Sequence, residues 1–222
     1  MFRMLGMELN RERLNAATTA TYERTAAELR ASCATATCAA LCRRLNGVFE
    51  GEFAASTDAG VPIACAPGCD YCCHLRVEVF RHEAAALLEH LRTCASRAEA
   101  AAIEQRILAN AQRIDGMTVE EHRAAGIPCA FLTEGRCSAY DVRPSACAAY
   151  HSLSRDRCEH SFRHPRDIGT ASNARPALLE LQVFGTALIE ATQAGCKDAG
   201  VASEQTELHQ TLRALLVSGA AE

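Results

Sequence analysis

One short stretch of this sequence contains four thiols and one imidazole, Cys65-Ala-Pro-Gly-Cys69-Asp-Tyr-Cys72-Cys73-His74. Pro67 and Gly68 exclude one continuous helix through the stretch, so the thiols are expected on a tight turn. Two thiolates that flank a two-residue spacer can ligate the same metal ion, as they do in zinc and iron–sulfur sites. The stretch therefore predicts a cysteine-ligated metal centre around which the chain folds.

A second series of cysteines follows, as Cys129-Ala-Phe-Leu-Thr-Glu-Gly-Arg-Cys137 and then Cys147 and Cys158. A single mononuclear site takes four thiols, so some of these cysteines support the ligands or the centre holds more than one ion. His74 and His151 flank motif cysteines, and either could replace a thiol. The predicted metal ligands are Cys65, Cys69, Cys72, Cys73, Cys129, Cys137, Cys147 and Cys158.

Arg143 is the predicted non-cysteine contact of the centre. Several thiolates around one dication leave net negative charge, which a guanidinium can offset by donating to sulfur. The alternative is an ion pair with Asp141. Tyr140 and Tyr150 either cover the site or pack in the core, and packing is the favoured interpretation.

The other five cysteines have helical surroundings, and buried thiols there behave as small hydrophobic residues. We predict this packing role for Cys33, Cys38, Cys42, Cys94 and Cys196. Cys38 and Cys42 are one helical turn apart and could share a metal ion, but a single helix seldom closes such a site. The helix-borne histidines are predicted to lie on the surface; they are His82, His90, His122 and His209.

The composition of the chain argues against several classes of function. Aromatic residues make up only 5% of the chain and Trp is absent, so a metal would add stability to a core thin in large side chains. A net charge of −4 without any Lys/Arg-rich run argues against a nucleic-acid partner. No apolar stretch predicts a membrane span or a secretory leader, so we expect a cytoplasmic protein, where reduced thiols bind metal rather than form disulfides.

The organisation predicted from the pattern is mainly α: a helical scaffold that carries an irregular cysteine-rich metal-binding layer. Residues 1–222 are expected to form one domain, with a cysteine-cluster core at 60–160 and helical extensions at 8–50 and 176–217. Residues 51–67 and most of 129–167 are expected to be loop, and 75–80 a short extended piece. Capping boxes are predicted at Ser96–Glu99 and Thr118–Glu121. The apolar faces of 176–194 and 204–217 either dock within the chain or form a homodimer or protein interface.

The two cysteine blocks resemble the YkgJ-like cysteine-cluster family, a zinc- or iron-chelating domain with the motif CxxCxxCC. The matching stretches are Cys65 to Cys73 and the run Cys129…Cys137-Ser-Ala-Tyr140-Asp-Val-Arg143-Pro144…Cys147, and three residues rather than two separate Cys65 from Cys69. The resemblance implies binding of iron, including an iron–sulfur cluster, or alternatively of zinc. Similar segments occur in the bacterial flagellin lysine methylase, which implies that a role accessory to an enzyme is conceivable.

Three functions are therefore in competition. The first is an iron or iron–sulfur centre with a redox role or a role accessory to an enzyme. The second is a structural zinc module of a helical protein–protein interaction domain, and the third is metal storage or delivery. The sequence contains no GxSxG, HExxH, P-loop or GxGxxG motif, so no reaction is predicted. A Cys147–His151 nucleophile pair is a poor candidate inside such a dense thiol cluster.

Overall fold

The computed structural model describes residues 11–167 and 176–219, and this part of the chain is mainly α-helical, as predicted. Four two-residue strands form two small antiparallel pairs, β1 with β4 and β2 with β3. The strands are β1 (Glu78–Val79), β2 (Leu132–Thr133), β3 (Arg136–Cys137) and β4 (Thr206–Glu207). The helices are α1 (Arg11–Ala31), α2 (Thr35–Asp58), α3 (Arg81–Cys94), α4 (Arg97–Ile114), α5 (Val119–Ala124), α6 (Ser145–Ala148), α7 (Arg155–Arg163), α8 (Leu179–Asp198) and α9 (Leu208–Ser218), with 3-10 turns at Tyr71–His74 and Tyr140–Val142.

The N-terminal segment, predicted as helix over 8–50, is two helices separated at residues 32–34. The second helix also continues to Asp58, so the prediction of a loop from residue 51 is wrong. Its last turns keep a buried stripe through Phe49, Glu52 and Ser56. Glu52 forms a 2.7 Å ion pair with Arg13 of α1, and this long-range contact supports helix where loop-forming residues dominate the local sequence.

The two predicted helical extensions pack on the rest of the chain. Helix α1 lies along α8, and a Cβ added at Gly195 would stand only 2.7 Å from a Thr25 side-chain atom, so the helices approach as closely as a glycine allows. Helix α9 packs against α3 and α4. The apolar faces considered for a dimer are buried within the chain, through Leu181, Phe184 and Leu188 of α8 and Leu208, Leu212 and Leu215 of α9.

The segment 129–167, predicted to be mostly loop, contains four short elements instead. A hairpin joins β2 to β3 with Leu132 opposite Cys137, and Glu134 and Gly135 make its turn with φ of 50° and 72°. The 3-10 turn, α6 and α7 follow. Elements this short are too brief for a sequence period, so the prediction failed here although the residues are ordered.

Most predictions for short segments are confirmed. The extended piece at 75–80 contains β1, and both capping boxes form: Ser96 accepts from the backbone N–H of Glu99, and Thr118 accepts from that of Glu121. The predicted helix at 204–217 begins later, at Leu208, because Thr206 and Glu207 pair with β1. Within the described residues, no helix is long and apolar enough to cross a membrane.

Candidate metal centre

The first cysteine block folds as a knuckle, defined here as residues 65–74. Pro67 and Gly68 form the predicted tight turn, with Gly68 at a φ of 86° that favours glycine. The backbone N–H of Cys69 donates to the Ala66 carbonyl at 3.0 Å, and that of Cys73 donates to the Asp70 carbonyl at 2.8 Å. Two successive turns therefore present Cys69, Cys72 and Cys73 from one compact piece of backbone.

The second block docks directly on this knuckle. The backbone N–H of Cys129 donates to the Cys73 carbonyl at 2.8 Å. A Cβ added at Gly135, in the hairpin turn, would stand 3.8 Å from the Gly68 carbonyl oxygen, so the two glycine turns face each other. The hairpin thereby brings Cys137 over the knuckle, and α6 carries Cys147 beside it.

Helix α7 carries Cys158 to the other side of the knuckle. The ring of Phe162 packs on the rings of Tyr71 and His74, at centroid distances of 5.6 and 4.7 Å. A cavity of about 40 Å³, the volume of roughly one water molecule, adjoins Cys158 and is lined in part by His74, Tyr150 and Phe162. The segment before the knuckle is held by a 2.8 Å hydrogen bond from the Ala64 N–H to the Ser152 carbonyl, which fixes the approach of Cys65.

Cys72 is the most acidic thiol of the layer. A hydrogen bond from the Cys73 thiol lowers the pKa of Cys72 to about 7, although burial opposes the change, and the positive charge of Arg143 lowers it further. The same hydrogen bond raises the pKa of Cys73, which keeps its proton. The adjacent pair thus favours the thiolate form at Cys72, the form that ligates metal.

Burial opposes the ionisation of two thiols of the second block, Cys129 and Cys147. Burial raises the pKa of Cys129 to about 12 and, with nearby Cys137, opposes its ionisation. Burial also raises the pKa of Cys147 well above its ordinary value, and the neighbouring Cys129, Cys137 and Cys72 thiols add to the effect. A bound cation would reverse these shifts, because it stabilises the thiolate that burial disfavours.

Cys65 is exposed at the edge of the layer, whereas Cys69 and Cys158 are partly buried. Burial raises the pKa of Cys65, and Cys72, Cys158 and Cys69 raise it further by charge repulsion. Burial and the proximity of Cys72 and Cys158 act on the pKa of Cys69 in the same direction. Thiols of the two blocks therefore influence one another electrostatically.

Arg143 lies at this layer, but its acidic partner differs from the predicted one. Its guanidinium lies over the Tyr140 ring at 3.9 Å, and one nitrogen is 3.7 Å from a Glu50 carboxylate oxygen. Asp141 instead offers its backbone carbonyl to the Asn46 amide at 2.9 Å. The Nε of Arg143 is buried and has no hydrogen-bond partner among the described residues. The arginine thus brings positive charge to Cys72 and Cys137 while one of its nitrogens also pairs with Glu50.

The two candidate histidine ligands have structural contacts. His151 is 1% exposed, and its Nε2 accepts the Leu178 N–H at 3.0 Å, so the expectation of a solvated loop histidine is wrong. His74 approaches the Gly126 carbonyl at 3.4 Å and packs on Phe162. Tyr140 is 50% exposed, so the favoured interpretation of this residue as core packing is wrong.

Several residues that hold the layer were not singled out from the sequence as support. One carboxylate oxygen of buried Glu83 accepts the Ser145 N–H at the start of α6 at 2.7 Å, and the other accepts the Phe80 N–H at 2.9 Å. The Nε2 of His209 accepts the Ala130 N–H at 3.2 Å, next to Cys129. Glu83 is 62 residues from Ser145 and His209 is 79 residues from Ala130, and His209 was predicted to be on the surface. His82 and His122 are buried as well, also against prediction.

The helix-borne cysteines divide into two kinds. Cys38, Cys42 and Cys196 are buried, as predicted, and Cys196 lies 3.5 Å from the Nδ1 of His82. Cys33 and Cys94 are exposed, so the packing role predicted for these two is wrong. Each lies at the end of a helix or just beyond it, where the helical stripe no longer faces the core.

The donor chemistry of the layer fits a thiophilic metal such as zinc or iron, because thiols from three segments face one another beside an arginine. As placed, however, no three His, Cys, Asp or Glu side chains in the described residues 11–167 and 176–219 surround a single metal position. Ligation therefore requires the sulfurs to draw together. The set of metal ligands among the eight predicted cysteines stays a prediction.

Fold and site together define a helical protein with a cysteine-cluster layer. Residues 64–167, just under half of the chain, match the family model CxxCxxCC, described as "Putative zinc- or iron-chelating domain". This part of the chain is therefore similar to the family, as its cysteine motifs predicted, and the match supports metal binding in general. No curated protein and no solved structure matches the chain.

Proposed function

We propose that the cysteine layer binds iron through thiolates, as an iron–sulfur cluster or an iron site, in a redox role or as an accessory to an enzyme. The observation that carries this proposal is the docking of the second block on the knuckle through the Cys129 N–H and the Cys73 carbonyl; the two blocks contain eight free thiols, twice the number that one zinc ion takes. Such a centre would supply one-electron chemistry. The residues that would hold it are the cysteines of the two blocks, with Arg143 offsetting their charge.

Two further observations agree with a redox centre. The layer reaches the surface at Cys65, which is exposed, so an electron-transfer partner could approach it closely. Arg143 has a nitrogen without a hydrogen-bond partner in the described chain, and hydrogen bonds and positive charge near cluster sulfurs raise the reduction potential. A reducing compartment such as the cytoplasm would keep the thiols available for ligation.

Zinc is the second candidate, as a structural ion or as cargo in storage and delivery. It is favoured by the partly buried positions of Cys129 and Cys147, which suit a closed site, and by the exposed Cys65, which suits exchange. A homodimer or protein partner would use surfaces other than the apolar faces of α8 and α9 already buried in the chain.

Anaerobic purification followed by metal analysis, sulfide analysis and a visible absorption spectrum tests the proposal. We expect a brown protein that contains iron and acid-labile sulfide. A colourless protein with stoichiometric zinc would overturn the iron proposal and leave the zinc function. A metal-free protein that takes up neither ion after reduction would overturn both.

A further inference from the structure

Two of the helix-borne cysteines, Cys33 and Cys38, meet at the start of helix α2. Ala34 is the N-cap of this helix, so Cys33 stands one residue before the cap and Cys38 is the fourth helical residue. Side chains at these two positions pack against each other in the arrangement known as the hydrophobic staple. The backbone N–H of Cys38 donates to the Ala34 carbonyl at 3.1 Å, so the first turn is closed and keeps the two cysteines side by side.

The contacts of both thiols agree with this arrangement. The Sγ of Cys38 lies 3.8 Å from the backbone carbonyl oxygen of Cys33. The thiol of Cys33 donates to the Leu29 carbonyl at 3.2 Å, and Leu29 packs with Cys38 in the main hydrophobic core. Burial, followed by charge repulsion from Cys33, raises the pKa of Cys38 to about 11. The two residues therefore form a pair of neighbouring thiols outside the cysteine layer.

The two thiols differ in their access to solvent. Cys33 is exposed, so a small oxidant reaches its sulfur directly, whereas Cys38 is only 2% exposed and is shielded. Cys33 also lies outside both helices, in the segment 32–34 between α1 and α2, so it can adjust toward Cys38 while the helices keep their hydrogen bonds. The first oxidation therefore falls on Cys33, and the oxidised sulfur stays within reach of a second thiol.

We propose that Cys33 and Cys38 form a reversible disulfide on exposure to hydrogen peroxide, as a redox modification site separate from the cysteine layer. The Cys33 thiolate attacks one peroxide oxygen, the O–O bond breaks, and a sulfenic acid forms on Cys33 as hydroxide leaves. The Cys38 thiolate then attacks the Cys33 sulfur, so the S–S bond forms and a second hydroxide leaves. The two thiol protons convert both hydroxides to water, and peroxide takes up the two electrons that the thiols lose. Transient disulfides of this kind occur in reducing compartments.

Peroxide treatment of the reduced full-length protein tests the proposal, when it is followed by denaturation in N-ethylmaleimide, trypsin digestion and mass spectrometry. Cleavage after Arg30 and Arg43 releases a peptide that contains three thiols, those of Cys33, Cys38 and Cys42. The oxidised peptide should carry a single maleimide, which fragmentation locates on Cys42. Reduction with dithiothreitol before blocking should restore all three maleimides, because the disulfide is reversible.

The variant Cys33→Ser should lose this disulfide completely, whereas the matched control Cys94→Ser, which removes another exposed thiol, should form it at the natural rate. In Cys38→Ala the sulfenic acid has no thiol to attack it, so dimedone should trap it on Cys33. Sulfinic acid on Cys33 beside a maleimide-labelled Cys38 would overturn the proposal, and so would a disulfide between Cys33 and Cys196. These outcomes concern thiols outside the layer, so they would leave the proposed metal binding untouched.

Discussion

Two groups of cysteines in this protein differ in their backbone context. The layer thiols are on turns, a hairpin and short helices, where a hydrogen bond from Cys73 lowers the pKa of Cys72 although burial raises that of Cys65 and Cys129. The core thiols Cys38, Cys42 and Cys196 are on long helices, and burial raises the pKa of each. The pKa reaches about 11 for Cys38 and about 12 for Cys196.

The backbone context explains the difference. A helix projects its thiols at fixed angles among packed side chains, so a buried thiol there acts as a small hydrophobic group. Irregular backbone lets several thiols from distant segments meet one another. His82 completes the contrast: it lies 3.5 Å from Cys196, but burial lowers its pKa to about 4, so the imidazole stays neutral and does not activate the thiol.

Glu83 connects helix α3 of the core to helix α6 of the layer, and its removal should have the largest effect on folding stability. Its carboxylate accepts the Ser145 and Phe80 N–H groups, and burial raises its pKa against the opposing effect of these hydrogen bonds. Glu83→Ala should lower the free energy of unfolding by about 4 kcal/mol, because two buried N–H groups lose their acceptor. Chemical denaturation measures this loss.

The matched control is Glu83→Gln, which keeps one acceptor oxygen at nearly the same volume. It should be clearly less destabilising than Glu83→Ala. Equal stability of the two variants would mean that side-chain volume, rather than the hydrogen bonds that tie α6 to α3, accounts for the role of Glu83.

The loss of folding stability at acid pH should distinguish the core around His82 from the cysteine layer. His82 is buried neutral with its pKa lowered from 6.5 to about 4, so the unfolded chain binds more protons between these pH values. Its contribution to stability is therefore complete above pH 6.5 and declines as the pH falls toward 4, by about 3 kcal/mol. Denaturation midpoints at successive pH values should show a shallower decline for His82→Gln than for the natural chain.

His90→Gln, on the same helix, is the control for this acid experiment. Its slope should match that of the natural chain, in which any acid release of metal from the layer is also present. If His82→Gln and the natural chain lost stability in parallel, the acid sensitivity would belong to the layer alone.

His209 tests whether the C-terminal helix, which lies outside the matched family segment, supports the layer. Its Nδ1 bonds to buried Glu207 at 3.0 Å, and its Nε2 accepts the Ala130 N–H. Burial, the largest single influence, would raise the pKa of Glu207, but the hydrogen bond and the charge of His209 together with the Gln210 N–H lower that pKa. His209→Ala should destabilise the protein by about 2 kcal/mol by leaving the Ala130 N–H unpaired.

The effect of His209→Ala should extend to metal retention. Competition with a chelator should release metal faster than from Leu212→Ala, a core variant on the same helix. His209→Gln should restore part of the retention, because its amide oxygen can accept the Ala130 N–H. Equal rates of metal release from the two alanine variants would mean that His209 contributes only to core packing.

The sequence predicted those parts of the molecule that depend on local chemistry. Capping boxes at Ser96 and Thr118 are contacts across three residues, and the knuckle turn follows from Pro67 and Gly68. The cysteine blocks predicted the family segment because their spacing is specific. Long helices were predicted by composition, although the break near Cys33 was missed because Ser and Ala there are compatible with a continuous helix.

What the sequence did not predict depends on contacts between distant residues. Strand β4 exists only because Glu78 and Val79 lie opposite it, and the burial of His82 and His209 follows from the packing of α3 and α9. The partner of Arg143 was misassigned for the same reason: Glu50 reaches it from α2, whereas Asp141 is merely close in sequence. The period of a helix indicates which face is apolar but not which polar residues that face carries into the core.

Substitutions of the helix-borne cysteines should have the smallest effects on stability. These substitutions test most directly whether the core thiols and the layer thiols have different roles. Cys38→Ala should cost about 1 kcal/mol because Cys38 is 2% exposed, whereas Cys33→Ala should stay within about 0.5 kcal/mol because Cys33 is exposed. Neither variant should change the metal content, since packing requires only volume while ligation requires the sulfur. Thermal melts and metal analysis of the same preparations measure both quantities. If Cys38→Ala released metal, the core thiols would belong to the centre and the contrast between the two groups would fail.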